Sequence, residues 1–175
     1  RRSNDVIPEI LGIAEDKGGG EIERPGKCPA CGAVLTEKGA HLYCPNAHEC
    51  PPQVKGRIEH FTEKDCMDIK SVSEATIAQL YDVLGERETY DLYSLNENDL
   101  YKLDGFKERK VKVFLSSVEK SKKVPLDKFI NALGIGNVGK VAAKELAERY
   151  GTIEAFAEAD EEDLLKGNLD GEVTA

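Results

Sequence analysis

Four of the chain's five cysteines fall in one short stretch: Cys28-Pro29-Ala30-Cys31, then Cys44 after twelve intervening residues, then Cys50 after five more. A C-x-x-C pair turns two thiolates toward one metal ion, and a second pair across a short hairpin completes a tetrahedron around Zn²⁺. Gly32, directly after Cys31, suits a turn that needs positive φ, and Pro29 and Pro45 stiffen the loops behind two of the ligands. Disulfides are disfavoured, because no export signal precedes the motif and five cysteines leave one unpaired. A redox dithiol needs a βαβ setting that the sequence lacks. His41 and His48 lie close enough to replace a cysteine as ligand, although four thiolates already close the shell. A closed shell has no open coordination position, so this metal is expected to fold its module and to catalyse nothing. Cys66 reads as a small buried apolar residue.

The second group of residues with chemistry to offer is Leu133-Gly134-Ile135-Gly136-Asn137-Val138-Gly139-Lys140-Val141-Ala142-Ala143-Lys144. It reads as the end of one helix, a tight hairpin and the start of another. Gly136 and Gly139 permit positive φ, and Asn137 is the non-glycine residue that tolerates it best. Without side chains in the way, backbone N–H groups and the following helix amino terminus can approach a phosphate oxygen directly. Val138 is expected to point inward as an apolar plug, while Lys140 and Lys144 add positive charge. The competing interpretation is a plain helix C-cap of the Schellman type. Weaker hairpins stand at Ile69–Glu74, where Ser71 and Ser73 take the small positions, and at Leu103–Glu108, where Gly105 remains and Lys107 replaces a second glycine. Contacts of this kind read no base edges, so binding is expected to be independent of sequence and sensitive to salt.

Lys102-Leu103-Asp104-Gly105 matches the K-x-D-G signature in which a lysine attacks a nucleotide α-phosphate. Such a lysine belongs in a strand-rich pocket with nucleotide-binding residues around it. Here it lies between helices and leads into a basic helix, so no catalytic residue is assigned.

These residues must be positioned by the elements around them. Apolar residues recur at helical spacing in Ile77, Leu80, Tyr81 and Leu84; in Val111, Phe114, Leu115 and Val118; in Phe129, Ile130 and Leu133; and in Val141, Leu146 and Tyr150. Helix, short turn and helix recur about every 30 to 35 residues, as one supersecondary unit used several times would. The expectation is a mainly α protein: residues 1–24 with an apolar strand Val6–Ile13 and a polar linker, residues 25–56 as a four-cysteine zinc finger, and residues 57–175 as an all-α domain. An apolar strand with nothing nearby to pair with suggests a sheet whose other strands lie upstream.

With 175 residues, 40 % hydrophobic and 33 % charged, the chain is expected to be soluble and monomeric, and no apolar run approaches a membrane span. A net charge of -9 argues against a polyanionic partner, but its distribution does not. Between Lys102 and Val124, eight basic residues face three acidic ones, whereas from Gly151 onward eight acidic residues face Lys166 alone. A basic face on an acidic protein suits a docking surface for phosphates.

Taken in order, these features resemble the NAD-dependent DNA ligases of bacteria across nearly the whole chain. Asp5-Val6-Ile7-Pro8 is similar to the end of that family's OB-fold domain, with Ser3-Asn4 in place of the usual Ala-Gly. The cysteine spacing is similar to its zinc finger. Phe61 and Met67-Asp68-Ile69 resemble the lead into its first helix-hairpin-helix, and Ala132–Ile135 with Val138-Gly139 resembles its third. The resemblance implies a bacterial cytoplasmic parent enzyme that seals 5′-phosphate/3′-hydroxyl nicks in duplex DNA through enzyme-AMP and DNA-adenylate intermediates, using NAD and Mg²⁺. It also implies that the nucleophilic lysine belongs to an upstream adenylation domain, so that this part is inactive alone and binds Zn²⁺ and nicked DNA. The first hairpin lacks both family glycines, the second lacks one, and the fourth, near Asn168-Leu169-Asp170-Gly171, keeps Gly171 alone. Two other classes compete: a stand-alone zinc and helix-hairpin-helix adaptor in DNA repair or recombination, and a zinc-stabilised protein-interaction domain without salt-dependent DNA affinity.

Overall fold

A computed structural model describes residues 23–160. The apolar stretch Val6–Ile13, the Asp5–Pro8 motif and the hairpin near Asn168–Gly171 lie outside the described residues.

The amino-terminal part is built on turns and very little sheet. A bridge between Lys27 and Val34 closes the first cysteine loop, and β1 (Thr36–Lys38) pairs antiparallel with β2 (His41–Tyr43) in the register Thr36↔Tyr43 and Lys38↔His41. Both strands are short and largely exposed, so sheet burial supplies little stability here. Helix α1 (Pro51–Thr62) starts directly behind Cys50, with two prolines at its first positions where no N–H is needed. It runs continuously through Gly56 and Arg57, where the finger was expected to end. Its Val54, Ile58 and Phe61 are buried in the main core.

From there the chain is helical: α2 (Glu74–Gln79), a π turn (Leu80–Leu84) ended by left-handed Gly85, a 3₁₀ turn (Thr89–Tyr93), α3 (Glu97–Leu100), α4 (Glu108–Ser121), α5 (Leu126–Ala132), α6 (Lys140–Tyr150) and α7 (Ile153–Ala157). Helix α4 shows the pattern best: Val111, Phe114, Ser117, Val118 and Ser121 are buried on one stripe, and lysines occupy the other face. The main core joins α1, α2, the π and 3₁₀ turns, α3 and α4 through Ile58, Ile77, Leu80, Leu92, Leu100 and Phe114. A second, smaller cluster of Ile130, Val138, Ala143 and Leu146 holds α5 against α6.

Two expectations from apolar spacing fail. Leu133 is 46 % exposed and Val141 is 74 % exposed. Leu133 follows the last residue of α5 and Val141 sits in the first turn of α6, where the hairpin turns the chain away from the small core.

Among the described residues no helix is long and apolar enough to cross a membrane.

Candidate metal centre and nucleic-acid interface

The four cysteines converge. Cys31 Sγ and Cys44 Sγ are 3.5 Å apart, Cys28 Sγ and Cys50 Sγ are 3.9 Å apart, and all four sulfurs lie within 4.8 Å of one another. Corners of a tetrahedron with metal–sulfur bonds of about 2.3 Å stand about 3.8 Å apart, so the set could hold a metal ion. All five cysteines are free thiols. The local fold explains the convergence. Gly32 takes φ +75° and donates its N–H to the Cys28 carbonyl at 2.8 Å, while the Cys28 N–H bonds to Ala33. Cys50 is the N-cap of α1 and donates its N–H to the Asn46 carbonyl at 3.0 Å, and Gln53 reaches back to the Cys44 carbonyl at 3.1 Å.

Electrostatics sort the sulfurs. Backbone N–H groups of Ala30 and Cys31 hold the Cys28 thiol down at about 7, whereas desolvation pushes Cys44 up to about 12 and also raises Cys50. Four crowded thiolates repel one another, and a bound cation removes that penalty. His41 and His48 are not in the cluster; His48 instead faces Glu88 at 3.3 Å. Arg57 bonds to the Ala47 and Arg87 carbonyls, tying the loop between Cys44 and Cys50 to the helical body.

Cys66 is buried as expected, and has neighbours that sequence reasoning missed. His60, Glu63 and Cys66 also lie within 4.8 Å of one another. The His60 ring is already committed, however, for its Nε2 lies 2.8 Å from the Asn131 carbonyl and so donates to it. Asn131 in turn donates to Asp65 O at 3.1 Å and to Cys66 Sγ at 3.2 Å. This set ties α1 to the end of α5.

The three hairpins differ in how they treat their amides. In the first, Ser71 adopts φ +66°, a left-handed conformation, and Asp68 does the same at +53°. Ser73 caps α2: its hydroxyl accepts from the Thr76 N–H at 3.3 Å and lies 3.1 Å from Thr76 Oγ1. The Lys70 N–H is taken by Ser117 of α4 at 2.9 Å. In the second, Gly105 takes φ +73°, Phe106 is buried as the plug, and Gln79 brackets Asp104 through its main-chain N–H and carbonyl. Lys107 is the N-cap of α4, with no side-chain cap bond.

The third hairpin corrects one expectation. Positive φ falls on Gly134 (+65°) and Asn137 (+62°), whereas Gly139 is extended (φ -90°, ψ -173°) and Gly136 is not left-handed either. Gly134 was overlooked; a Cβ there would stand 3.5 Å from the His60 ring. At Gly136 and Gly139 a Cβ would meet none of the described residues within 4 Å. Neither backbone geometry nor internal packing therefore demands glycine at those two positions, and each keeps the main chain bare toward solvent. Val138 is 6 % exposed, the inward plug that was expected. Gly139 caps α6 without a side-chain bond, which leaves the first-turn N–H groups of α6 without a capping side chain. Lys140 pairs with Asp65 at 3.1 Å and holds that carboxyl below its usual range, and Lys144 faces Glu148 at 3.8 Å. Lys102 is an exposed residue ion-paired with Asp99 at 2.8 Å.

Residues 128–173 match the helix-hairpin-helix motif family. The chain is 45 % identical over 167 residues to a DNA ligase of Alkaliphilus oremlandii, covering 94 % of this chain and 25 % of that protein. A DNA ligase of Alkaliphilus metalliredigens is 43 % identical over the same span, and one of Clostridium perfringens is 42 % identical over 177 residues, 100 % of this chain and 27 % of the relative. The chain thus spans about a quarter of the length of the curated relatives it matches.

Proposed function

We propose that this chain is the zinc-binding and helix-hairpin-helix segment of a bacterial NAD-dependent DNA ligase, in which it grips the backbone of nicked duplex DNA and catalyses no step itself. The observation that carries the reading is the third hairpin: a bare glycine-rich turn, leading into an uncapped helix, in a chain with ligase relatives over nearly its whole length.

The physical account is short. Phosphate oxygens need donors that reach them without desolvating a side chain, and amides at a helix start are already oriented and already carry partial positive charge. Gly136 and Gly139 let a strand approach, Asn137 makes the turn, and Lys140 and Lys144 neutralise charge. Lys140 would exchange its Asp65 carboxylate for a phosphate. Exposed Ile135 and Val141 flank the turn and can lie against sugars. The second hairpin offers the uncapped start of α4 beside Lys107 and Gly105. The first offers mainly Ser71, since the Ser73 hydroxyl is engaged within its own helix.

The four-thiolate set is assigned to structural Zn²⁺, which suits an all-sulfur tetrahedral donor set. When bound, the metal joins the finger, residues 25–56, to the start of α1 through Cys50. Helix α1, which runs on to Thr62, then carries that fixed orientation into the helical domain. NAD and Mg²⁺ are assigned to the parent enzyme's adenylation domain, and that domain and an OB-fold domain are the expected intramolecular partners.

Deleting this segment from the parent enzyme tests the reading. The truncated enzyme should still form a covalent AMP adduct with NAD but lose joining of nicked duplex, and the isolated chain should form no adduct. Undiminished joining, or an adduct at Lys102, would overturn it.

A further inference from the structure

A groove of about 670 Å³ runs between α4, the turn before the first hairpin and the start of α5, and lysines ring it: Lys70, Lys112, Lys120, Lys123 and Lys128. Asp68 is the acidic residue in its lining, already paired with Lys70 at 2.5 Å. We infer that this groove is a second phosphate track, separate from the hairpin amides, that takes the backbone of duplex DNA continuing past the hairpins. The inference rests on the DNA-binding reading above.

Three observations point to this occupant. First, Lys112, Ser116 and Lys120 recur every four residues along the solvent face of α4. Lys112 and Lys120 are therefore about 12 Å apart along the helix, three to four nucleotide steps of one strand at about 3.4 Å each. Second, charge is available. Lys120 and Lys123 have no carboxylate partner among the described residues, whereas Lys112 holds Glu108 and Lys128 bonds to the Lys64 carbonyl. Third, the groove adjoins the hairpins: Lys70 lines it, and its N–H bonds Ser117 on the groove wall, so the first hairpin is anchored to this surface.

The lining also discriminates among polyanions. The apolar side chains that line it, Met67, Val113 and Val124 among them, are aliphatic, and it carries no aromatic ring. Channels for single strands stack bases on aromatic side chains, so a ring-free basic groove suits the outside of a duplex, where only phosphates are presented.

The test uses the whole chain, nicked duplex and a salt series. Lys120→Gln/Lys123→Gln removes two phosphate partners from exposed positions, so its thermal melt should match that of the unmodified chain. The slope of log K against log[salt] should become shallower by about 1.8, since each neutralised phosphate contributes about 0.9. Lys55→Gln, on α1 and paired with Asp82, should leave the slope unchanged. An unaltered slope in the double variant, with binding by the unmodified chain intact, overturns the second track alone. If the unmodified chain shows no salt-dependent binding, the track falls together with the proposed function. Poly-glutamate binding as tightly as duplex, and weakened equally by the double variant, would assign the groove to acidic polypeptides and likewise overturn the inference.

Discussion

The first and third hairpins reverse the chain between two helices in similar ways, yet they dispose of their amides in opposite ways. In the first, Ser73 caps α2 and Ser117 takes the Lys70 N–H, so the amides of Lys70 and Thr76 are satisfied from within the protein. In the third, Gly139 offers no cap, and a Cβ at Gly136 or Gly139 would meet none of the described residues within 4 Å. A hydroxyl at the helix start makes a joint, whereas a glycine there leaves a set of donors for something outside. Helices α3 and α7, capped by Asn96 and Thr152, side with the first hairpin; α4, behind the second hairpin, sides with the third.

The largest disturbance to this contrast should come from the metal. We expect about one zinc ion per chain, and chelation should melt the finger and loosen α1 from its Cys50 start, as in small domains where metal binding supplies the folding free energy. Because His60 on α1 holds the Asn131 carbonyl, the third hairpin should lose duplex affinity as well. Metal analysis showing no zinc, or circular dichroism unmoved by a chelator, would remove this link. Next in size is a pair of substitutions. Gly139→Val should weaken nicked-duplex binding at least tenfold, about 1.4 kcal/mol, whatever the DNA sequence. Ser73→Ala should instead lower unfolding free energy by about 1 kcal/mol through loss of a cap and leave duplex affinity nearly unchanged. If the two variants exchanged phenotypes in binding and melting assays, the roles given to the hairpins would be reversed. The smallest effect is expected from Asp65→Asn. Freed from its carboxylate, Lys140 should raise duplex affinity by about two- to fivefold, a small gain because a solvent-exposed ion pair competes only weakly, and a titration at fixed salt would show it.

What could be read from the sequence was mostly local. The C-x-x-C turn, the Cys44/Cys50 pair and the inward Val138 depend on neighbours a few residues away, so spacing carries them. The helical class followed from apolar periodicity for the same reason. Periodicity misled at Leu133 and Val141 because the hairpin turns both away from the small core, and a linear pattern does not contain that turn. The glycine argument was right about a bare backbone and wrong about where positive φ falls, since the left-handed positions, Gly134 and Asn137, follow from how α5 ends. The His60–Asn131 bond spans 71 residues, and the lysine groove draws on segments as far apart as Lys70 and Lys128. Neither has a local signature; only the folded chain brings those groups together.

The central claim concerns main-chain N–H groups, so the most direct measurement observes them. In an amide-resolved NMR titration of the zinc-loaded chain with nicked duplex, the amides of Gly139, Lys140 and Val141 should shift downfield and gain protection from exchange. Those of Ser73 to Thr76 should stay where they were. Unmoved amides at the start of α6, with binding detected by another probe, would contradict the account.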